Sequence, residues 1–354
     1  MAFVNPPILE LDFTGAANVA DFSMIDGAVR GVILSIINSM FTLPNRYLVT
    51  LDAANDYFKT YTQPLGIVRI TVDRAWDFAE EEQGKAKKLL SKLTRAAPDC
   101  YTKIELGAEP AWQTSTKNNT IHPHWNETHD FVVTDFEQII KLHVFDEDVN
   151  GDDEVGTAVT TVKDLLVSGD KTSELALTHS SQGEAGSGKI SLTAEYHRFE
   201  ADGGLSFSSS QHSGEGRMCG VAVVLIAGAH DVKGAREQLQ PSVKVTFGSE
   251  HSFQTAVKSD APGTDINNPT FDQNFRIPLT GAMASSGGYF RIALLNGEKE
   301  MGGIDLPFED LVKRPDMRVQ DKFPVGNGAT VRASISLRGL GAAGGGQQTT
   351  LPQR

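Results

Sequence analysis

The chain of 354 residues carries 45 acidic against 32 basic side chains, a formal charge of −13, which argues against general attraction to nucleic acid or anionic lipid, so any basic contact must be local. Its 40% hydrophobic content supports two or more cores, and no window approaches the roughly 20 apolar residues of a membrane span. Met1-Ala2-Phe3-Val4-Asn5-Pro6 lacks a signal-peptide pattern, and the two cysteines, Cys100 and Cys219, give no disulfide framework. Together these predict a soluble chain in a reducing, cytosolic setting.

In chain order, Ile8-Leu9-Glu10-Leu11-Asp12-Phe13 alternates as a strand does. Residues 24–41 read as one amphipathic helix, with Ile25, Val29, Val32, Ile33, Ile36, Ile37, Met40 and Phe41 at helical spacing and Pro44 just beyond. Arg46-Tyr47-Leu48-Val49-Thr50-Leu51 alternates again. This strand-helix-strand piece is too short to bury its own apolar stripe.

From Gly66 onward the pattern becomes short strands with turns, and it repeats. His122-Pro123-His124-Trp125-Asn126-Glu127 precedes a strand at Phe131-Val132-Val133, and Asn268-Pro269-Thr270-Phe271-Asp272-Gln273 precedes Phe275-Arg276-Ile277. The strands before and after these motifs match in kind, so two all-β units of roughly 130 residues are predicted, as antiparallel sandwiches. A Gly/Ser-rich linker follows Ala201, and a glycine-rich tail begins at Gly341. The expected boundaries are 1–60, 61–200, 201–216, 217–340 and 341–354.

The first unit holds the chemistry. Phe145 to Gly156, FDEDVNGDDEVG, packs six carboxylates into twelve residues after a strand-like run. Hard oxygens at Asp146, Asp148, Asp152 and Asp153 suit calcium, whereas like charges so close repel without a cation. A solvated Asx-rich turn is the plain alternative. An EF-hand fails because Thr157 stands where a bidentate Glu is required and a strand precedes the loop.

Upstream, residues 84–95 have helical spacing, with Lys85, Lys88, Lys92 and Arg95 largely off the apolar face. Such a helix rests on an anionic membrane or docks on the protein with its charged face solvated. His122, His124 and His129 make an H-x-H-x4-H spacing that lacks a clear fourth zinc ligand. No G-x-S-x-G, P-loop or H-E-x-x-H motif is present, so no enzyme is predicted.

Asp99-Cys100-Tyr101, His122 to Glu127, Phe145-Asp146-Glu147-Asp148 and Asp152-Asp153-Glu154-Val155-Gly156 together resemble a C2 domain in order and spacing. The resemblance implies an eight-stranded sandwich with calcium held between two loops at one tip. It makes Asp146, Asp148 and Asp153 ligands from the third loop and Asp99 a ligand from the first, with Asp152 adding a further oxygen. Asp77 is the nearest Asp for the remaining first-loop place, where Glu80 to Glu82 also fall. Val149 at the tip would insert shallowly into lipid. The second unit lacks the paired aspartates, with Gln240 in place of Asp99, and is expected to be a degenerate copy without calcium.

Pro6 to Gly15, the helix, Leu43-Pro44-Asn45-Arg46 and Pro64 to Ile70 resemble the junction between the lipid-transfer SMP domain and the first C2 domain of extended synaptotagmins and tricalbins. The fold class implied is mainly β, two C2-type sandwiches preceded by an α/β remnant of an SMP domain. The implied function is calcium-dependent binding of anionic phospholipid, phosphatidylserine or phosphoinositides, in a membrane tether at endoplasmic reticulum–plasma membrane contacts. Glycerolipid cargo, with a full SMP domain, and a homodimer belong to the same expectation. The chain is then either part of a longer tether or a shortened homologue, and the alternative class is a calcium-independent protein scaffold.

Overall fold

The computed structural model describes residues 1–11, 22–49, 56–78, 97–149, 151–167, 172–178, 188–200, 217–249 and 251–340. The basic helix with Lys85, Lys88, Lys92 and Arg95, Glu80 to Glu82, the linker at 201–216 and the tail at 341–354 lie outside these. The chain forms two compact units. The first takes Met1–Tyr47 and Pro64–His197, and the second takes Leu48–Gln63 and Arg198–Gly346.

The helix read from the apolar spacing is present as α1, Phe22–Phe41. Of the strands expected on either side of it, Asp12, Phe13, Thr50 and Leu51 lie outside the described residues. Ile8 to Leu11 and Arg46 to Val49 have no ladder, and an isolated bridge between Phe3 and Thr42 takes their place. Alternation marks a face, but a strand also needs a neighbour to take its N–H and C=O groups. The N-terminal segment instead ties to the first sandwich through Asn5, whose amide donates to the Glu137 carbonyl at 2.8 Å and accepts from the Ile139 N–H at 2.6 Å.

The first sandwich is built from β1 (Gly66–Trp76), β2 (Cys100–Leu106), β3 (Trp112–Gln113), β4 (His124–Val133), β5 (Ile139–Asp146), β6 (Asp153–Thr161), β7 (Thr172–Ala176) and β8 (Lys189–Glu200). One sheet runs β4-β1-β8-β7 and the other β3-β2-β5-β6. Val68, Ile70 and Val72 of β1 face Ile104 and Leu106 of β2 and Ile140, Leu142 and Val144 of β5 in one core. The period of two in the sequence produces this: alternate residues leave a strand on opposite faces.

The second sandwich repeats the plan with β9 (Met218–His230), β10 (Pro241–Phe247), β11 (His251–Gln254), β12 (Thr270–Thr280), β13 (Tyr289–Asn296), β14 (Lys299–Pro307), β15 (Arg318–Gly326) and β16 (Ala329–Leu340). Its sheets run β12-β9-β16-β15 and β11-β10-β13-β14, so each strand has its counterpart in the first unit. Backbone specials repeat as well. Asn126 and Asp272 both sit in the left-handed region, as do Asp77 and Asp231. Asn and Asp tolerate that conformation, which suits Asn126 and Asp272 to bulges inside β4 and β12, and Asp77 and Asp231 to the turns just after β1 and β9.

Arg69 of β1 and Asp130 of β4 form an ion pair at 2.8 Å with both side chains about 8% exposed. The bidentate contact with Asp130 holds the Arg69 guanidinium firmly charged, against the opposing cost of burial. Arg69→Ala is expected to cost about 3–5 kcal/mol in denaturant unfolding by removing the guanidinium paired with a buried carboxylate, and Arg69→Met with Asp130→Leu to recover most of it.

His129 of β4 stacks on Trp112 at 5.1 Å and meets Phe131 edge-on at 4.7 Å. Burial pushes its pKa below the ordinary 6.5, with Asp130 opposing. The folded state therefore binds the proton less readily than the unfolded chain, so this contribution to stability is full above pH 6.5 and lost as pH falls through the folded pKa. Melting curves from pH 7.5 to 5 are expected to show that loss, and His129→Phe to flatten it.

Candidate metal centre at the acidic tip

Three chain segments meet at one end of the first sandwich because of a single register. Cys100 at the start of β2 lies opposite Asp146 at the end of β5, and Asp146 in turn lies opposite Asp153 at the start of β6. The Asp99 N–H donates to Asp146 Oδ1 at 2.7 Å, and the Glu147 N–H donates to the Asp99 carbonyl at 2.9 Å. Asp99 Oδ1 accepts from the Asn119 N–H at 2.6 Å. The Asp146 carboxylate is thus fixed by the backbone just before β2, and the Asp99 carboxylate by the Asn119 N–H in the connection between β3 and β4.

Asp146 is half-buried, and burial raises its pKa first. The N–H of Asp99 opposes that, and the charges of Asp148, Asp99 and Asp153 push it higher. The Asp146 carboxylate therefore feels the charge of three neighbouring carboxylates at this tip. The same surroundings push the Cys100 thiol up to about 12, through burial and then Asp146 and Asp99, which leaves it inert at neutral pH.

Asp148 and Val149 lie exposed at the apex of the loop, Val149 fully so. Asp152 has its oxygens engaged: Oδ2 accepts from the Tyr101 hydroxyl at 2.6 Å and Oδ1 from the Asp148 N–H at 3.3 Å. It braces the loop. Burial followed by that bond to Asp152 pushes the Tyr101 phenol up to about 12. Asp77 is exposed at the left-handed turn after β1. Its counterpart Asp231 occupies the same left-handed turn in the other copy. Phe78 packs against the core, and Trp76 carries the Arg74 guanidinium 4.8 Å over its ring.

Among the described residues, no three His, Cys, Asp or Glu side chains stand close enough to enclose an ion as they lie. The donor set itself suits calcium, since every candidate is a hard carboxylate oxygen, the two fixed by the backbone lie on adjoining strands, and Asp148 and Asp153 bear on the same point.

The second sandwich supplies the internal control. Pro241 lies opposite Asn296 as Cys100 lies opposite Asp146. The Gln240 N–H donates to Asn296 Oδ1 at 2.6 Å, and the Gly297 N–H to the Gln240 carbonyl at 2.9 Å. The clamp is kept and the charge is gone. Moreover, Asn296 pairs directly with Lys299, so residues 297 and 298 alone form the turn, with Gly297 supplying the positive φ such a hairpin needs. A turn this tight presents no ligand cluster, whereas in the first copy the last pair of the ladder is Asp146 with Asp153, which leaves a longer connection.

The comparisons agree with this architecture. The chain belongs to the C2-domain family, whose model matches it twice, over residues 66–177 and 220–318. It is similar to human extended synaptotagmin-2, at 22% identity over 96% of this chain and 36% of that protein. Mouse extended synaptotagmin-2 is likewise 22% identical over 96% of this chain and 40% of its own length. The chain therefore spans well under half of these relatives. Among solved structures, the SMP–C2A–C2B portion of extended synaptotagmin 2 superimposes with a TM-score of 0.62 at 21% identity, covering 96% of this chain and 71% of that one. A calcium-bound C2A–C2B pair of the same protein gives 0.61 at 19% identity, over 79% of this chain and 99% of that one. At these identities the likeness establishes the fold, and it is the fold and family that the acidic loop and the repeated Pro-aromatic-Asx turns pointed to. Among the described residues, no helix is long and apolar enough to cross a membrane.

Because Asn296 performs the clamp without charge, Asp146→Asn is expected to leave the first sandwich melting at or above wild type in chelator. Asp146→Ala, which strips the acceptor from the Asp99 N–H, should fall about 1–2 kcal/mol below Asp146→Asn.

Proposed function

We propose that the first sandwich binds calcium through Asp99, Asp146, Asp148 and Asp153, with Asp152 bracing the loop, and that the loaded tip engages anionic phospholipid. The observation that carries this reading is the β2–β5 register, which drives Asp99 and Asp146 together where Asp148 and Asp153 already bear on Asp146. Calcium, when bound, supplies positive charge and open coordination sites that phosphate oxygens fill. The carboxylates hold the ion, Tyr101 holds Asp152, and the exposed Val149 reaches shallowly into the lipid interface. Lys85, Lys88, Lys92 and Arg95 belong to the same reading as an added basic contact.

In its larger setting the chain acts as a tandem C2 module of a membrane tether like the extended synaptotagmins, on the cytosolic face of endoplasmic reticulum–plasma membrane contacts. Glycerolipid transport and dimerisation belong to a protein with a whole SMP domain. A non-enzymatic role agrees with the names of its relatives. The short turn of the second sandwich favours a calcium-independent role for that copy.

Sedimentation with phosphatidylserine vesicles tests the switch. Binding should appear with calcium, vanish in chelator, and be lost in Asp146→Asn with Asp148→Asn. Equal sedimentation of the double variant would remove those two residues from the site, and binding indifferent to calcium would favour a scaffold.

A further inference from the structure

The strand β9 is buried on both faces, which a sandwich with one wet face does not require. Ala222, Val224 and Ile226 point into the core of the second unit. Val221, Val223 and Leu225 alternate with them, so they face the other way, and they are buried too. Across this outer face one row of cross-strand neighbours runs Asn274 of β12, Leu225 of β9, Ser334 of β16 and Gln320 of β15. Three strand spacings make the row about 14 Å wide.

Residues of the segment 56–63 touch both ends of that row. The Tyr61 hydroxyl donates to Asn274 Oδ1 at 3.1 Å, and Gln320 Nε2 donates to Asp56 Oδ1 at 3.4 Å. Between these ends the segment makes a single 3-10 turn, Tyr57–Thr60, begun by Asp56 accepting from the Phe58 N–H. The Tyr57 hydroxyl donates to Asp272. The Arg332 guanidinium lies 5.6 Å from the Tyr57 ring centre and 5.3 Å from that of Phe58, and Arg338 Nε donates to Gln63 Oε1 at 3.2 Å. Phe58 is 1% exposed and Tyr61 6%, while Lys59 and Thr60 face solvent. A short peptide with two buried aromatics, a guanidinium stacked on one side and polar contacts at each end is how a docked ligand is held.

We propose that the outer face of the second sandwich is a peptide-docking surface and that its occupant is the chain's own segment 56–63. The copy that has lost the acidic loop thus acts as an anchor for the stretch of chain preceding the first sandwich. The recognised chemistry is Asp-Tyr-Phe-x-x-Tyr, read by Arg332, Asp272, Asn274 and Gln320. This inference is independent of calcium and of lipid, and so is its test.

A labelled peptide spanning residues 54–64 is titrated into the full-length chain and followed by anisotropy in chelator. Tethering gives the native segment an effective concentration on the order of millimolar, so the wild-type surface is occupied and binds the peptide weakly. In Phe58→Ala with Tyr61→Ala the surface is vacated, and the peptide should bind at least ~10-fold tighter. Adding Arg332→Ala to that variant should abolish the gain. Equal binding to wild type and vacated chain, or a gain that survives Arg332→Ala, overturns the proposal. Hydrogen exchange on the unaltered chain needs no variant. The amides of 58–61 should exchange at least ~10-fold slower than in the free peptide, and exchange at the free-peptide rate overturns the proposal even where the variants do not fold.

Discussion

The pairing of β2 with β5 governs the acidic tip. Because Cys100 stands opposite Asp146, the N–H of Asp99 reaches the Asp146 carboxylate, and the next residues along both strands are committed to the same few ångströms. A one-residue slip would send every side chain of β5 to the other face and scatter the carboxylates. Core packing of Ile104, Leu142 and Val144 forbids that slip, so the hydrophobic interior pays for the electrostatic crowding outside it.

The two copies divide one inherited frame between charge and adhesion. Both keep the strand order, the left-handed Asp at the end of the first strand, and the side-chain oxygen that caps the backbone before the second strand. One copy then lengthens its third loop and loads it with Asp148, Asp152 and Asp153. The other closes the loop to residues 297 and 298 and instead buries an apolar stripe on the outer face of β9 beneath an aromatic strap. The same scaffold thus offers a carboxylate-rich tip in one half and a sheet face covered by a peptide segment in the other.

Much of this was legible in the residues. The period-two alternation marked several strands of each sandwich, and the recurrence of a Pro, an aromatic and an Asn or Asp beside β-runs gave the number of sandwiches. That Asn126 and Asp272 are left-handed residues at bulges inside β4 and β12 depends on cross-strand register and was not visible. The spacing of Asp146, Asp148 and Asp153 gave the acidic loop, since hard oxygens at that density have few structural uses. Among the described residues, Ile8 to Leu11 and Arg46 to Val49 form no ladder, because a strand needs a partner that alternation alone does not reveal. The role of Asn296 as a neutral Asp146 was hidden, since it depends on a register between strands distant in sequence. Asp56 to Tyr61 has neither helical nor strand periodicity, and its burial comes wholly from a surface contributed some 160 to 280 residues later.

Titration calorimetry of calcium into the full-length chain addresses the central claim most directly. The account predicts a saturating heat of uptake that disappears in Asp146→Asn while the fold, followed by circular dichroism, is unchanged. No heat at millimolar calcium in the wild-type chain, or an undiminished heat in Asp146→Asn, would contradict it.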